Sequence, residues 1–199
     1  MDKSSIQEIL RLANCGAEQL TKGQPKLAVK LMKAALCRVL KDVDQSTEAG
    51  IDGSASSYSL LFGDVISDFD RDDGGRYLVF MHPLLIKINE QASGNGFGCI
   101  EPMPLLAAVI TFNLALAYHS KWNTNDYSGN WTAQKLYENC IQLATEALAG
   151  GRHEDAKIIV VAAFCNKIQM SYCSGCYNCS GVRKELDALH LLLYSSPKK

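Results

Sequence analysis

The sequence lacks several features that would assign it to a class of proteins at once. Its 199 residues carry a formal net charge of -1, without the positive excess typical of phosphate binding, so nucleic acid is not expected as a partner. No uninterrupted apolar run reaches the roughly 18 residues of a membrane span, so no membrane contact is expected. The opening residues MDKSSIQEIL contain no basic segment followed by an apolar one, which argues against a secretory signal. We therefore expect a soluble, cytoplasmic protein.

Recognisable catalytic motifs are missing as well. There is no GxxxxGK[ST] phosphate loop, and the GNGFG segment at 94–98 lacks the flanking strand and helix of a dinucleotide site. The acidic segment at 68–75 fails as a calcium loop because Asp73 and Val79 occupy the positions that need glycine and glutamate. The histidines form no recognisable catalytic set: His82, His119, His153 and His190. We predict no enzymatic activity and no cofactor, and an enzyme site within 44–104 is an alternative without a motif behind it.

Cysteine is the chemically distinctive residue that is present, with eight copies. Cys173, Cys176 and Cys179 form a C-x2-C-x2-C segment, and thiolates at this spacing can bind one tetrahedral zinc ion or an iron–sulfur cluster. An obvious fourth ligand is missing, and His190 or Cys165 would have to supply it. The favoured interpretation is a turn with reduced thiols. A small metal-binding module is the alternative.

Apolar residues at helical spacing predict a mainly α-helical chain. Gly23 and Pro25 separate the first two helices, and proline suits the first turn of the second because its missing N–H costs nothing there. A buried strand is the alternative for the very apolar segment 155–172. The predicted helices are 5–20, 25–43, 105–121, 132–148, 155–172 and 182–194, with a polar loop at 123–130.

Residues 44–104 interrupt this helical pattern. They begin with a polar, Gly/Ser-rich loop at 44–57 and include a strand-forming run at 77–88. Pro83 divides this run into an edge strand or two short extended pieces. We expect an irregular, β-containing insertion within a single domain of residues 1–199, and we expect 77–88 to pack on the helices.

Small residues recur in one register in two of the predicted helix pairs. Only glycine or alanine lets two helix backbones approach closely where they cross. The positions are Gly16, Ala28 and Ala35 in the first pair, and Ala115, Ala133 and Cys140 in the second. This register resembles that of the tetratricopeptide (TPR) repeat. The resemblance implies antiparallel helical hairpins in an α-α superhelix, and a helical bundle without repeats is the alternative.

The resemblance does not extend over the whole chain. It covers 5–43 and 105–150 well and 155–194 poorly, and it does not cover 44–104. The second helix pair needs six extra residues in its turn, around 123–129, and so departs from the family pattern.

In the family, the first helix of each hairpin lines a concave groove. The resemblance implies that asparagines there hold a peptide backbone through paired hydrogen bonds, because an amide both donates and accepts. Ala13 and Ala17 stand where the family's carboxylate clamp has polar residues, which disfavours a C-terminal carboxylate ligand. The alternative is that Asn14 is a solvated residue and Asn113 a helix-surface residue. The residues implied for the groove are Asn14, Phe112, Asn113, Leu116, His119, Asn166 and Gln169.

The resulting prediction for function is a protein-interaction scaffold without catalytic activity. It would bind a protein or peptide in a concave TPR-like groove. The alternative is a zinc- or iron–sulfur-binding module that uses the C-x2-C-x2-C turn.

Overall fold

Helices make up most of the computed structural model, which describes residues 3–48, 59–62, 80, 82–89, 103–122, 127–149, 153–173, 183, 184 and 187. Two short strands, β1 (Ser59–Phe62) and β2 (Ile86–Asn89), pair antiparallel with Phe62 opposite Ile86. The prediction of a mainly helical chain is confirmed. The helices are α1 (Lys3–Thr21), α2 (Pro25–Glu48), α3 (Met103–Trp122), α4 (Tyr127–Ala149) and α5 (His153–Cys173).

The ends of the helices differ from the predicted ones. Residues 44–48, predicted to begin a loop, continue α2, and residues 127–130, predicted to be loop, form the first turn of α4. Neither segment contains proline, so nothing in the backbone prevents a helix held by packing from extending into it. The strand alternative for 155–172 is wrong, because α5 is helical throughout. Of the predicted helix at 182–194, the described residues 183, 184 and 187 are helical, and the others lie outside the described part.

The turn between α1 and α2 follows from Gly23 and Pro25. Gly23 has a φ of 69°, in the left-handed region that glycine adopts without steric cost. Its N–H donates to the Leu20 carbonyl at 3.0 Å, and the Gln24 N–H donates to the Gln19 carbonyl at 2.8 Å. This pair of bonds closes a helix with a glycine cap. Pro25 then begins α2, as predicted.

Helices that follow one another in the chain pack against one another. α1 packs on α2, α2 on α3, α3 on α4 and α4 on α5, while α3 also touches α1 and α5. Every residue of α3 from 105 to 117 is buried, so this helix is apolar on all sides. The odd-numbered helices therefore form a connected layer with α3 at its centre.

By length and composition, the stretch Met103–Ser120 of α3 could also cross a membrane. It is not an uninterrupted apolar run, because polar residues such as Asn113 lie within it. In the fold, 83% of this stretch is buried inside the protein. Its position among the other helices accounts for its apolar composition.

Small residues lie at close helix contacts in both halves of the chain. A side-chain carbon added to Gly16 would stand 2.9 Å from Cγ of Met32 on α2, so this contact requires glycine or a shift of Met32. The Cys140 thiol on α4 donates to the Ala108 carbonyl of α3 at 3.3 Å. The remaining residues of the small-residue register are all fully buried: Ala28, Ala35, Ala115 and Ala133.

Candidate functional site

Three asparagines, one on each odd-numbered helix, hold one segment of the chain's own backbone. They are Asn14 on α1, Asn113 on α3 and Asn166 on α5, and we call them the asparagine ladder. The piece that they hold comprises residues 80 and 82–86 and is called the groove segment below. Each asparagine bonds both the N–H and the C=O of one residue in it. The ladder therefore binds a segment of the chain itself.

The two ladder members on α1 and α3 bind neighbouring positions of the groove segment. Asn113 accepts a hydrogen bond from the Leu84 N–H at 2.8 Å and donates to the Leu84 carbonyl at 2.7 Å. Asn14 accepts from the Ile86 N–H at 2.9 Å and donates to the Ile86 carbonyl at 2.7 Å. These distances are those of well-formed hydrogen bonds. Asn113 is buried, so its interpretation as a helix-surface residue is wrong, and Asn14 is half-buried and bonded.

The third ladder member is held in turn by a buried network. Asn166 accepts from the Phe80 N–H at 2.8 Å and donates to the Phe80 carbonyl at 2.9 Å. It also donates to the Tyr137 hydroxyl at 3.0 Å. Since the hydroxyl oxygen accepts that bond, its own hydrogen can go to Nδ1 of His119, 3.2 Å away. Tyr137 therefore fixes which way the Asn166 amide faces, with its oxygen toward the Phe80 N–H.

Burial keeps this network uncharged. Desolvation lowers the pKa of His119 to about 4 and raises the pKa of Tyr137 well above its ordinary range. His119 is then a neutral acceptor at pH 7. At pH 7, Asn166 is therefore held in place by hydrogen bonds between uncharged groups.

We expect His119 to weaken the fold as the pH falls from about 6.5 to about 4. In this window the unfolded chain protonates the histidine while the folded chain does not, so stability that is complete above pH 6.5 is lost on acidification. The loss should approach about 3 kcal/mol. Urea denaturation at pH 7, 5.5 and 4.5 measures it.

The matched control for this pH dependence is His119→Gln, whose carbonyl can still accept from Tyr137. The variant should not show the loss between pH 6.5 and 4.5. Pairing with Arg11 lowers the pKa of Glu8, and pairing with Lys135 lowers the pKa of Glu138. Protonation of these two carboxylates therefore affects the stability of both proteins only below about pH 4.5. An equal slope in the two proteins over the upper part of the window would contradict the assignment.

Two of the ladder contacts fall on alternate residues, Leu84 and Ile86. Successive residues of an extended chain direct their N–H and C=O groups to opposite edges, so alternate residues share one edge. The ladder takes this edge, which leaves the other edge to β1 from Ile86 onward. Pro83, which has no N–H to give to a neighbouring strand, lies before that pairing begins.

From Leu84 to Ile86 the side chains alternate between the core and solvent. Leu84 and Ile86 are buried at 1% and 2% exposure, while Leu85 between them is 37% exposed and His82 is exposed. An open depression of about 450 Å³ adjoins the exposed side of the segment at the end of α1. It is lined by Glu18, Thr21, Lys22, His82, Pro83 and Leu85.

The other residues predicted for the groove occupy different environments. Phe112 is fully buried, with its ring centroid 5.9 Å from that of Tyr137, and Leu116 is buried as well. Both therefore belong to the core between the helices. His119 supports the ladder through its contact with the Tyr137 hydroxyl. Oε1 of Gln169 is shielded from solvent and has no hydrogen-bond partner within the described residues.

The predicted metal site falls mainly outside the described residues. Cys176 and Cys179 are not among them, and Cys173 is the last residue of α5. Within the part that is described, no three His, Cys, Asp or Glu side chains are placed to hold a metal ion. Burial raises the pKa of the thiols of Cys140 and Cys165, so they are poor sources of thiolate at neutral pH.

Comparison of the chain with protein-family models, with curated proteins and with solved structures finds no match.

Proposed function

We propose that this chain is a TPR-like protein-interaction scaffold that binds an extended peptide in the groove formed by α1, α3 and α5. The observation that carries the proposal is the asparagine ladder. Six of its hydrogen bonds go to backbone N–H and C=O groups of the groove segment. Recognition of this kind accepts any chain in an extended conformation, as in the addition of a strand to a sheet edge.

The TPR-like arrangement is part of this proposal. Sequential packing of the helices, with further contacts of α3 to α1 and α5, is what stacked helical hairpins require. The close contacts at Gly16 and Cys140 support helix crossings at the small-residue register. We further propose that residues 1–199 act as one domain in the cytoplasm, and that the ladder holds the partner without chemistry on it.

A library of random twelve-residue peptides, displayed on phage and selected on the full chain, tests the scaffold function. On the chain carrying Leu84→Asp and Ile86→Asp, which should expel the groove segment and so remove its competition, selected peptides should lose about five- to tenfold in affinity for Asn14→Ala, which removes two hydrogen bonds from a half-buried site. Gln142→Ala is the matched control, because Gln142 is an exposed amide on α4 bonded to Glu146. It should leave the affinity unchanged. A set of peptides that all bind both variants alike would overturn the proposal.

A further inference from the structure

We infer that the groove segment is an internal occupant of the binding groove, and that the external partner is an extended peptide segment with apolar, uncharged side chains at the positions of Leu84 and Ile86 that displaces it. This inference rests on the proposed function. It adds which peptides the groove accepts, and it identifies the groove segment as the competitor that blocks their binding.

The contacts of the groove segment suit an exchangeable ligand. The ladder holds it through side-chain amides of α1, α3 and α5, whose own helical hydrogen bonds do not involve it. Each amide bonds both polar groups of one residue, so another extended backbone can take over all six bonds. The same three side-chain amides can then bond either the groove segment or an external peptide.

The described environment of the segment defines the partner's chemistry. Positions equivalent to 80, 84 and 86 must each offer an N–H, so proline is excluded there and is accepted at the position of Pro83. The side chains at 84 and 86 enter the apolar core and must be uncharged and apolar. Phe80 is half-buried against the same core. The positions of His82 and Leu85 are exposed and accept any side chain.

Tethering makes the groove segment a strong competitor. A ligand joined to its site by the chain acts at an effective concentration that reaches the millimolar range for short flexible connections. The apparent affinity of an external peptide falls by the fraction of molecules whose groove is empty. We therefore expect external peptides to bind the unaltered chain only weakly.

A fluorescent peptide with the sequence of residues 78–88, LVFMHPLLIKI, provides the direct test. It should bind the full chain carrying Leu84→Asp and Ile86→Asp at least about tenfold more tightly than the unaltered chain. N-methylation of the peptide amides equivalent to Leu84 and Ile86 should abolish binding. Leu85→Lys in the peptide, at the exposed position, should leave binding unchanged. Equal affinity for the two chains, or binding that survives N-methylation, overturns the inference.

Amide hydrogen exchange in the unaltered chain tests the inference even where the double variant does not fold. The amides of Leu84 and Ile86 should exchange through local opening, with protection at least about tenfold below that of Ala115 in α3. Protection equal to that of Ala115 would make the segment a permanent part of the fold and overturn the inference.

The two proposals fail in distinguishable ways. Library peptides whose binding depends on Asn14, together with no binding of the 78–88 peptide, would leave the scaffold standing and remove the inference. If neither the unaltered chain nor the folded double variant selects any peptide that depends on Asn14, the scaffold and the inference both fail.

Discussion

Replacing Asn113 with alanine is expected to lower the free energy of unfolding by about 2–4 kcal/mol. Asn113 and Leu84 are each 1% exposed, so water has little access to the groups that the variant would leave without a partner. The N–H and the C=O of Leu84 would both lose their hydrogen bonds in the interior. Urea denaturation followed by circular dichroism measures the loss.

Two further variants separate this explanation from a simple loss of volume. Asn14→Ala should cost only about 1 kcal/mol, because Asn14 is half-buried and water can replace its amide. Asn113→Asp keeps the acceptor for the Leu84 N–H but loses the donor for the Leu84 carbonyl and buries a carboxylate. It should therefore be at least as damaging as Asn113→Ala. An Asn113→Asp variant as stable as the unaltered chain would contradict the assignment of the two hydrogen bonds.

Replacing Phe112 with alanine should cost about 3–5 kcal/mol of stability, as expected when a large aromatic side chain leaves a cavity in a packed core. Phe112 is 0% exposed and packs against Tyr137. The same change at Trp131, which is 67% exposed on α4, should stay within about 0.5 kcal/mol. Thermal and urea denaturation of the two variants provide the comparison.

The Phe112 variant also decides between two positions for this residue. The resemblance placed it in the groove, where its loss would weaken peptide binding and leave stability nearly unchanged. The structure places it in the core, where stability must fall. Phe112→Leu keeps most of the buried volume and should lose less than half as much as Phe112→Ala. A stable Phe112→Ala chain with weakened peptide binding would favour the groove position.

The helical part of the fold was predictable because apolar residues recur regularly at helical spacing and because turn-forming residues separate the first two helices. Gly23 and Pro25 marked the first turn, and the structure shows the glycine cap and the proline start. The ends at Glu48 and Tyr127 were not predictable, because polar residues without proline are compatible with both helix and loop. Tertiary packing decides such cases, and the local sequence does not encode it.

The ladder was only half predictable. Its three asparagines were identified through the repeat register, and the run at 77–88 was expected to pack on the helices. Nothing in the sequence joined these two observations, since a contact between Asn14 and Ile86 spans 72 positions of the chain. One available signal was that the backbone N–H and C=O groups of a run destined for burial need partners. The role of Tyr137 depends on three helices meeting at one hydroxyl and had no such signal.

The even spacing of the ladder contacts makes the site selective for the length of a bound chain. Four residues separate the contacts at Phe80 and Leu84, and two separate those at Leu84 and Ile86. One residue inserted between Leu84 and Ile86 would turn the N–H and C=O of the next anchored residue to the opposite edge, away from Asn14. Two inserted residues would restore the edge and could bulge out toward solvent. Natural partners should therefore differ from one another by even numbers of residues between the positions that Asn113 and Asn14 hold.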